Sequence, residues 1–146
     1  MAKRIWLDMD GTIADLYGVK NWLGMIENED ATPYAIAEPI VNAKALAKVI
    51  NSLKARGYEI AILSALAKNS SPAYDEAVKV AKLNWLKANF PSVEWNEIRF
   101  VPYSYTKNCA NAGSDILFDD ESRHLSAWTG KAYNAKNLLV ILASLR

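Results

Sequence analysis

The sequence has one cysteine, Cys109, in 146 residues. A lone thiol closes no disulfide within the chain, so the core must hold the fold, and the usage suits a reducing, cytoplasmic compartment. Net charge is almost absent: 17 basic against 16 acidic side chains leave +1. No basic field points to tight binding of long nucleic acid, and no acidic tail points to disorder. Long hydrophobic runs are also missing. "LLVILASL" (Leu138 to Leu145) is too short to span a bilayer. The opening "MAKR" resembles the basic start of a signal peptide, but the apolar "IWL" behind it stops at Asp8. There is no internal repeat, low-complexity tract or linker. These absences leave one globular domain over 1–146, off the membrane, long enough for a real core.

The patterns present are those of alternating strands and helices. Hydrophobic residues make up 51% of the chain and charged residues 23%, the balance of a globular protein. "RIWLD" is a short apolar run without alternation, which predicts a strand buried on both faces. "YEIAILS", "EIRFVPY", "SDILFDD" and "KAYNA" predict four more strands. Ile40, Ala43, Leu46, Ala47, Ile50 and Leu53 share one face of a helix that Gly57 follows. Pro72 opens a second helix, read with Ala77, Val80, Ala81, Asn84, Trp85 and Ala88 on its face and ending before Phe90-Pro91. "ESRHLSAW" and "NAKNLLVILASL" are two further helices. The order predicts an α/β, doubly wound, Rossmann-like fold, a mostly parallel sheet flanked by helices. Residues of about 16–39 break the pattern and form an insertion after the first strand.

Three of the predicted strands end on polar residues: Asp8, Ser64 and the pair Asp119-Asp120, with Asp10 just past the first. Ligands of open parallel sheets sit beyond the carboxyl ends of the strands. Taken singly, such residues are turn or capping residues; their coincidence at one sheet edge is what points to a site. Four carboxylates in one small volume repel each other, and a hard divalent cation such as Mg²⁺ relieves that repulsion through oxygen ligands.

These residues resemble the motifs of the haloacid dehalogenase (HAD)-like phosphohydrolase superfamily. "DMDGT" (Asp8 to Thr12) matches the Asp-x-Asp-Gly-Thr signature after the first strand. Ser64 in "IAILSA" matches the second motif, Lys107 the third and "ILFDDES" the fourth. The resemblance implies a Mg²⁺-dependent phosphatase, a phosphoric monoester hydrolase. Asp8 would be the nucleophile that forms an aspartyl-phosphate, and Asp10 the general acid and then base. Asp8, the Asp10 carbonyl and Asp120 would hold Mg²⁺, with Asp119 acting through a water. Ser64 and Lys107 would hold the phosphoryl oxygens, helped by backbone groups of Met9, Asp10 and Ala65. Lys68, just past Ser64, is the alternative lysine.

Within the superfamily, the chain is most similar to 5′(3′)-deoxyribonucleotidases and to the phosphatase domain of phage polynucleotide kinase. Both imply a small-molecule phosphate ester, a nucleotide first, with a nucleic-acid 3′-phosphate end as the alternative. A phosphotransferase of the same chemistry and an inactive binding protein are the other readings; the intact acids argue against the last. The short insertion is read as a small cap. Its Tyr17, Trp22, Met25 and Tyr34 either stack on a base or pack the insertion onto the sheet. Asp15 is read as a capping or loop residue, Cys109 as a small loop residue, and His124 receives no catalytic role.

Overall fold

The computed structural model describes residues 3–146, so Met1 and Ala2 of the "MAKR" stretch lie outside the described residues. In chain order the elements are β1 (Arg4–Leu7), β2 (Ala14–Asp15), α1 (Trp22–Glu27), α2 (Thr32–Ile36), β3 (Glu38–Pro39), α3 (Ala43–Ala55) and β4 (Glu59–Ala65). Then come α4 (Pro72–Asn89), β5 (Glu97–Val101), β6 (Ile116–Asp119), α5 (Ser122–Ala127), β7 (Ala132–Asn134) and α6 (Leu138–Ser144). Five strands form one parallel sheet in the order β5-β4-β1-β6-β7. This is the doubly wound arrangement that the alternation predicts. No helix among the described residues is long and apolar enough to cross a membrane.

The apolar runs without alternation are buried on both faces. Ile5, Leu7, Ile60, Ile62, Ile116 and Phe118 pack on one side against Leu46, Ile50 and Leu53 of α3, Trp85 of α4 and Leu138 and Leu142 of α6. Trp6, Ala61, Leu63 and Leu117 face the other side, under Val101, Ala110 and Trp128. Each fully buried Leu, Ile or Phe contributes roughly 1.5–3 kcal/mol.

α3 follows its predicted face from Leu46 onward, with Asn42 capping its start by accepting the Ala45 N–H at 2.9 Å. Ile40 precedes the helix and is exposed. α4 starts at Pro72 as expected, with Ser71 Oγ accepting the Tyr74 N–H at 3.1 Å. Its buried face is Tyr74, Val78, Lys82, Trp85 and Leu86; of the predicted face Trp85 is buried and Ala81 half-buried, while Ala77, Val80, Asn84 and Ala88 are exposed. A lysine at the centre of the buried stripe rotates the face away from the apolar count.

The segment expected to be an insertion starts and ends side by side, at β2 and β3, which pair antiparallel as Ala14 with Pro39 and Asp15 with Glu38. Between them lie two short helices. Leu16 and Tyr34 pack onto Tyr74 and Val78 of α4.

Candidate active site

β1 lies between β4 and β6, with Leu7 level with Ile62 and Phe118. That register brings the ends of three strands together and places Asp8, Ser64, Asp119 and Asp120 at one edge. Asp8, Ser64 and Asp119 are buried. The Asp8 N–H donates to the Phe118 carbonyl at 3.0 Å, which extends the sheet to the site itself.

Lys107, in a short turn of helix between β5 and β6, is buried and donates to Asp8 Oδ1 and Asp119 Oδ2, each at 2.6 Å. Thr12 Oγ1 donates to Asp8 Oδ2 at 2.7 Å. Burial works against the Asp8 charge, but the Lys107 ammonium and these donors hold its carboxyl below the usual range. Asp10 is pushed the other way: burial, with Asp8 nearby, raises its carboxyl although Lys82 pulls it back. Two acids separated by one residue thus sit in environments of opposite sense.

Burial would lower the Lys107 pKa; Asp8 and Asp119 outweigh it and raise it. Burial and the Asp8 charge push Asp119 up to about 6 and Asp120 up to about 8. Asp8, Asp119 and Asp120 each bring a carboxylate oxygen within 4.8 Å of the others.

Their hydrogen bonds distinguish the two acids of the pair. Asp119 is fully engaged, with Oδ2 on Lys107 and Oδ1 accepting the Glu121 N–H at 3.0 Å. Asp120 Oδ1 is buried and has no hydrogen-bond partner among the described residues. A buried carboxylate oxygen without a donor is costly, and an oxygen-only cluster with one free ligand atom fits a hard divalent cation. Gly11 turns the chain at φ +82°, and a Cβ there would overlap Asp120 Oδ2.

Of the other residues expected here, Ser64 accepts from Lys82 Nζ at 2.6 Å. Ala65 lines the cleft, and its carbonyl also accepts from Lys82, at 3.0 Å. The Met9 side chain is in the core, so only its backbone can face a ligand. Lys68 is exposed and lines the cleft, while Lys107 is the lysine that bonds to Asp8 among the described residues. Asp15 caps a turn by accepting the Gly18 N–H at 3.0 Å.

Two residues beyond the expected set are built into the site. Lys82 reaches from α4 to Asp10 Oδ2 at 2.9 Å as well as to Ser64 and Ala65. Its only trace in the sequence is a position four residues after Val78 and three before Trp85, inside the buried stripe. His124 Nδ1 accepts the Lys107 N–H at 3.1 Å, and burial with the Lys107 and Arg123 charges pushes its pKa down to about 4. A neutral imidazole thereby fixes the turn that carries Lys107.

Above the carboxylates opens a cleft of about 280 Å³. Asp8, Asp10 and Lys107 form its floor; Tyr17, Trp22, Leu23, Ile26 and Tyr103 form an apolar and aromatic outer wall. Tyr17 and Trp22 meet edge to face, centroids 4.9 Å apart. Met25 does not line it, and Tyr34 both lines the cleft and packs against α4.

No family model matches the chain, and no curated protein matches it in sequence. Among solved structures it is similar to the D,D-heptose 1,7-bisphosphate phosphatase from Burkholderia thailandensis. The identity is 12%, over 98% of this chain and 97% of that one, with a TM-score of 0.57. That likeness shows the fold, a Rossmann-like α/β architecture.

Proposed function

We propose that this chain is a Mg²⁺-dependent phosphomonoesterase that works through an aspartyl-phosphate on Asp8. The observation that carries the reading is the different holding of Asp8 and Asp10: Lys107 and Thr12 donate to both oxygens of Asp8 at 2.6 and 2.7 Å, while Lys82 holds one oxygen of the half-buried Asp10 at 2.9 Å, settings that lower the first carboxyl and raise the second. Acids whose environments drive them apart divide into nucleophile and proton carrier. Asp8 attacks phosphorus, and the bond from phosphorus to the ester oxygen breaks. Asp10 gives its proton to the departing oxygen. Asp10, now ionised, takes a proton from water; the water oxygen attacks phosphorus, the bond to Asp8 breaks, and phosphate leaves. Lys107 and the Ser64 hydroxyl hold phosphoryl oxygens during both displacements.

Mg²⁺ would be held by Asp8, Asp120 and the Asp10 carbonyl, with Asp119 behind them through a water. The free Asp120 oxygen and the fully bonded Asp119 carboxylate support that division. When bound, the ion supplies charge neutralisation for the phosphoryl oxygens.

The substrate we infer is a nucleotide, with the insertion of about 16–39 acting as a small cap. The aromatic outer wall suits a flat base, and among the described residues the exposed Lys68 is the one lysine or arginine lining the cleft besides Lys107. The structural neighbour's name gives it a sugar bisphosphate; a second phosphate in this cleft would have Lys68 alone to bind, with the Glu121 carboxylate also in the lining. The test is phosphate release from p-nitrophenyl phosphate, thymidine 5′- and 3′-monophosphates, a sugar bisphosphate and a 3′-phosphorylated oligonucleotide, with Mg²⁺ and with EDTA. Release that needs Mg²⁺ and falls to background in Asp8→Asn is expected, with a nucleotide preferred. No release above that variant on any substrate would sink the reading.

A further inference from the structure

Lys82 and Lys107 are the lysines buried among the described residues, and the phosphatase chemistry above uses only Lys107. Lys82 Nζ lies 2.9 Å from Asp10 Oδ2, 2.6 Å from Ser64 Oγ and 3.0 Å from the Ala65 carbonyl. An ammonium has three protons and no acceptor. Three oxygens therefore use all of its donors, and none is left for a phosphoryl oxygen.

The two side chains it touches are constrained in turn. Ser64 Oγ accepts from Lys82, so its own proton must point to another acceptor. Asp10 has Oδ2 pinned, lines the cleft, and among the described residues its Oδ1 accepts no hydrogen bond. We infer that Lys82 is a positioning residue for proton transfer: it presents Asp10 Oδ1 to the leaving oxygen and turns the Ser64 hydroxyl into a donor toward the phosphoryl group. α4 supplies the rigidity, since Lys82 sits between Val78 and Trp85 on its buried face, with the Tyr34 ring centroid 4.9 Å from Nζ.

This role rests on the phosphomonoesterase reading, and a leaving-group series separates the two. p-Nitrophenyl phosphate releases an oxygen that needs no proton. Phenyl phosphate and then benzyl phosphate need one increasingly. For Lys82→Met, kcat/KM is expected to fall less than about tenfold on the first and about 10²-fold on the last, the span of a general acid. A loss of equal size on all three overturns the role of Lys82 in proton transfer, since the Ser64 contact alone would weaken every substrate alike, and leaves the phosphatase standing. A wild-type chain inert on all three with Mg²⁺ overturns the phosphatase reading and the role of Lys82 with it. Where melting curves show that Lys82→Met does not fold, the wild-type crystal structure with orthovanadate decides. Nζ still on Asp10, Ser64 and Ala65 and out of reach of the anion supports the role; Nζ bonded to a vanadate oxygen overturns it.

Discussion

Asp10 and Gly11 are adjacent, yet in the proposed metal site their tasks differ. Asp10 would lend its backbone carbonyl and keep its carboxyl, held by Lys82, for the proton. Gly11 keeps a space open: at φ +82° it adopts a conformation that costs other residues about 1–2 kcal/mol. A Cβ there would also collide with Asp120 Oδ2 and come within 2.8 Å of Tyr17 Cε2. Asp10→Asn is therefore expected to lose about 10²–10⁴ in kcat while Mg²⁺ affinity stays within a few-fold of wild type. Gly11→Ala is expected to weaken Mg²⁺ binding at least tenfold and to cost about 1–3 kcal/mol of stability. Calorimetric Mg²⁺ titration of the two variants beside Asp120→Asn checks both. Weakening in Asp10→Asn as large as in Asp120→Asn would contradict the assignment of the carbonyl alone.

At the scale of elements, α4 joins the segment between β2 and β3 to the floor of the cleft. Its Ser71 N–H and Oγ donate to Glu29 at 2.8 and 3.0 Å, Tyr74 Oη donates to the Asp30 carbonyl at 3.0 Å, and Trp85 Nε1 donates to the Ala37 carbonyl at 2.7 Å. The same helix carries Lys82. Tyr74→Ala removes both a packed ring and a bond to the insertion. It is expected to cost about 3–5 kcal/mol and to speed amide exchange across 16–39 far more than in β1, β4 and β6. Uniform acceleration across the chain would show that the insertion is not a separate unit held by α4. The strands and the Asp8, Ser64, Lys107 and Asp119-Asp120 positions were legible in the sequence because each site residue ends an apolar run or is the lone cation of its loop. Lys82 was not, because a hydropathy pattern counts every lysine as solvent-facing. β2 and β3 were not either, since two residues carry no periodicity; they pair only because the insertion brings its ends back together.

The whole molecule is nearly neutral, but its site is not. Asp8, Asp10, Asp119 and Asp120 carry four negative charges when ionised, and Lys82 and Lys107 return two, so the site is left at 2 − 4 = −2. A divalent cation cancels that charge; without one, protons must. Asp119 near 6 and Asp120 near 8 both lie above the ordinary 3.8, so the folded chain binds more protons than the unfolded chain between those values. Stability falls with rising pH wherever the folded state holds the extra protons. In EDTA these acids therefore destabilise the fold as pH climbs through about 8. His124 has the reverse sign: at about 4 instead of 6.5 it binds fewer protons folded than unfolded, so it adds stability as pH rises from 4 to 6.5. The two effects oppose each other below 6.5; from 6.5 to 8 Asp120 titrates, and Asp10, whose carboxyl is also raised, acts in the same direction. Mg²⁺ must displace the Asp120 proton to bind, so its affinity rises across that window. The gain in melting temperature from a fixed Mg²⁺ concentration is accordingly expected to grow from pH 6.5 to 8 and to level off above it. At about 100 times the dissociation constant it corresponds to about 2.7 kcal/mol, or several degrees. Asp120→Asn should abolish the gain and reduce the metal-free decline over the same range. A Mg²⁺ shift that is flat in pH, or that survives in Asp120→Asn, would mean that the ion binds elsewhere and that the free Asp120 oxygen is not its ligand.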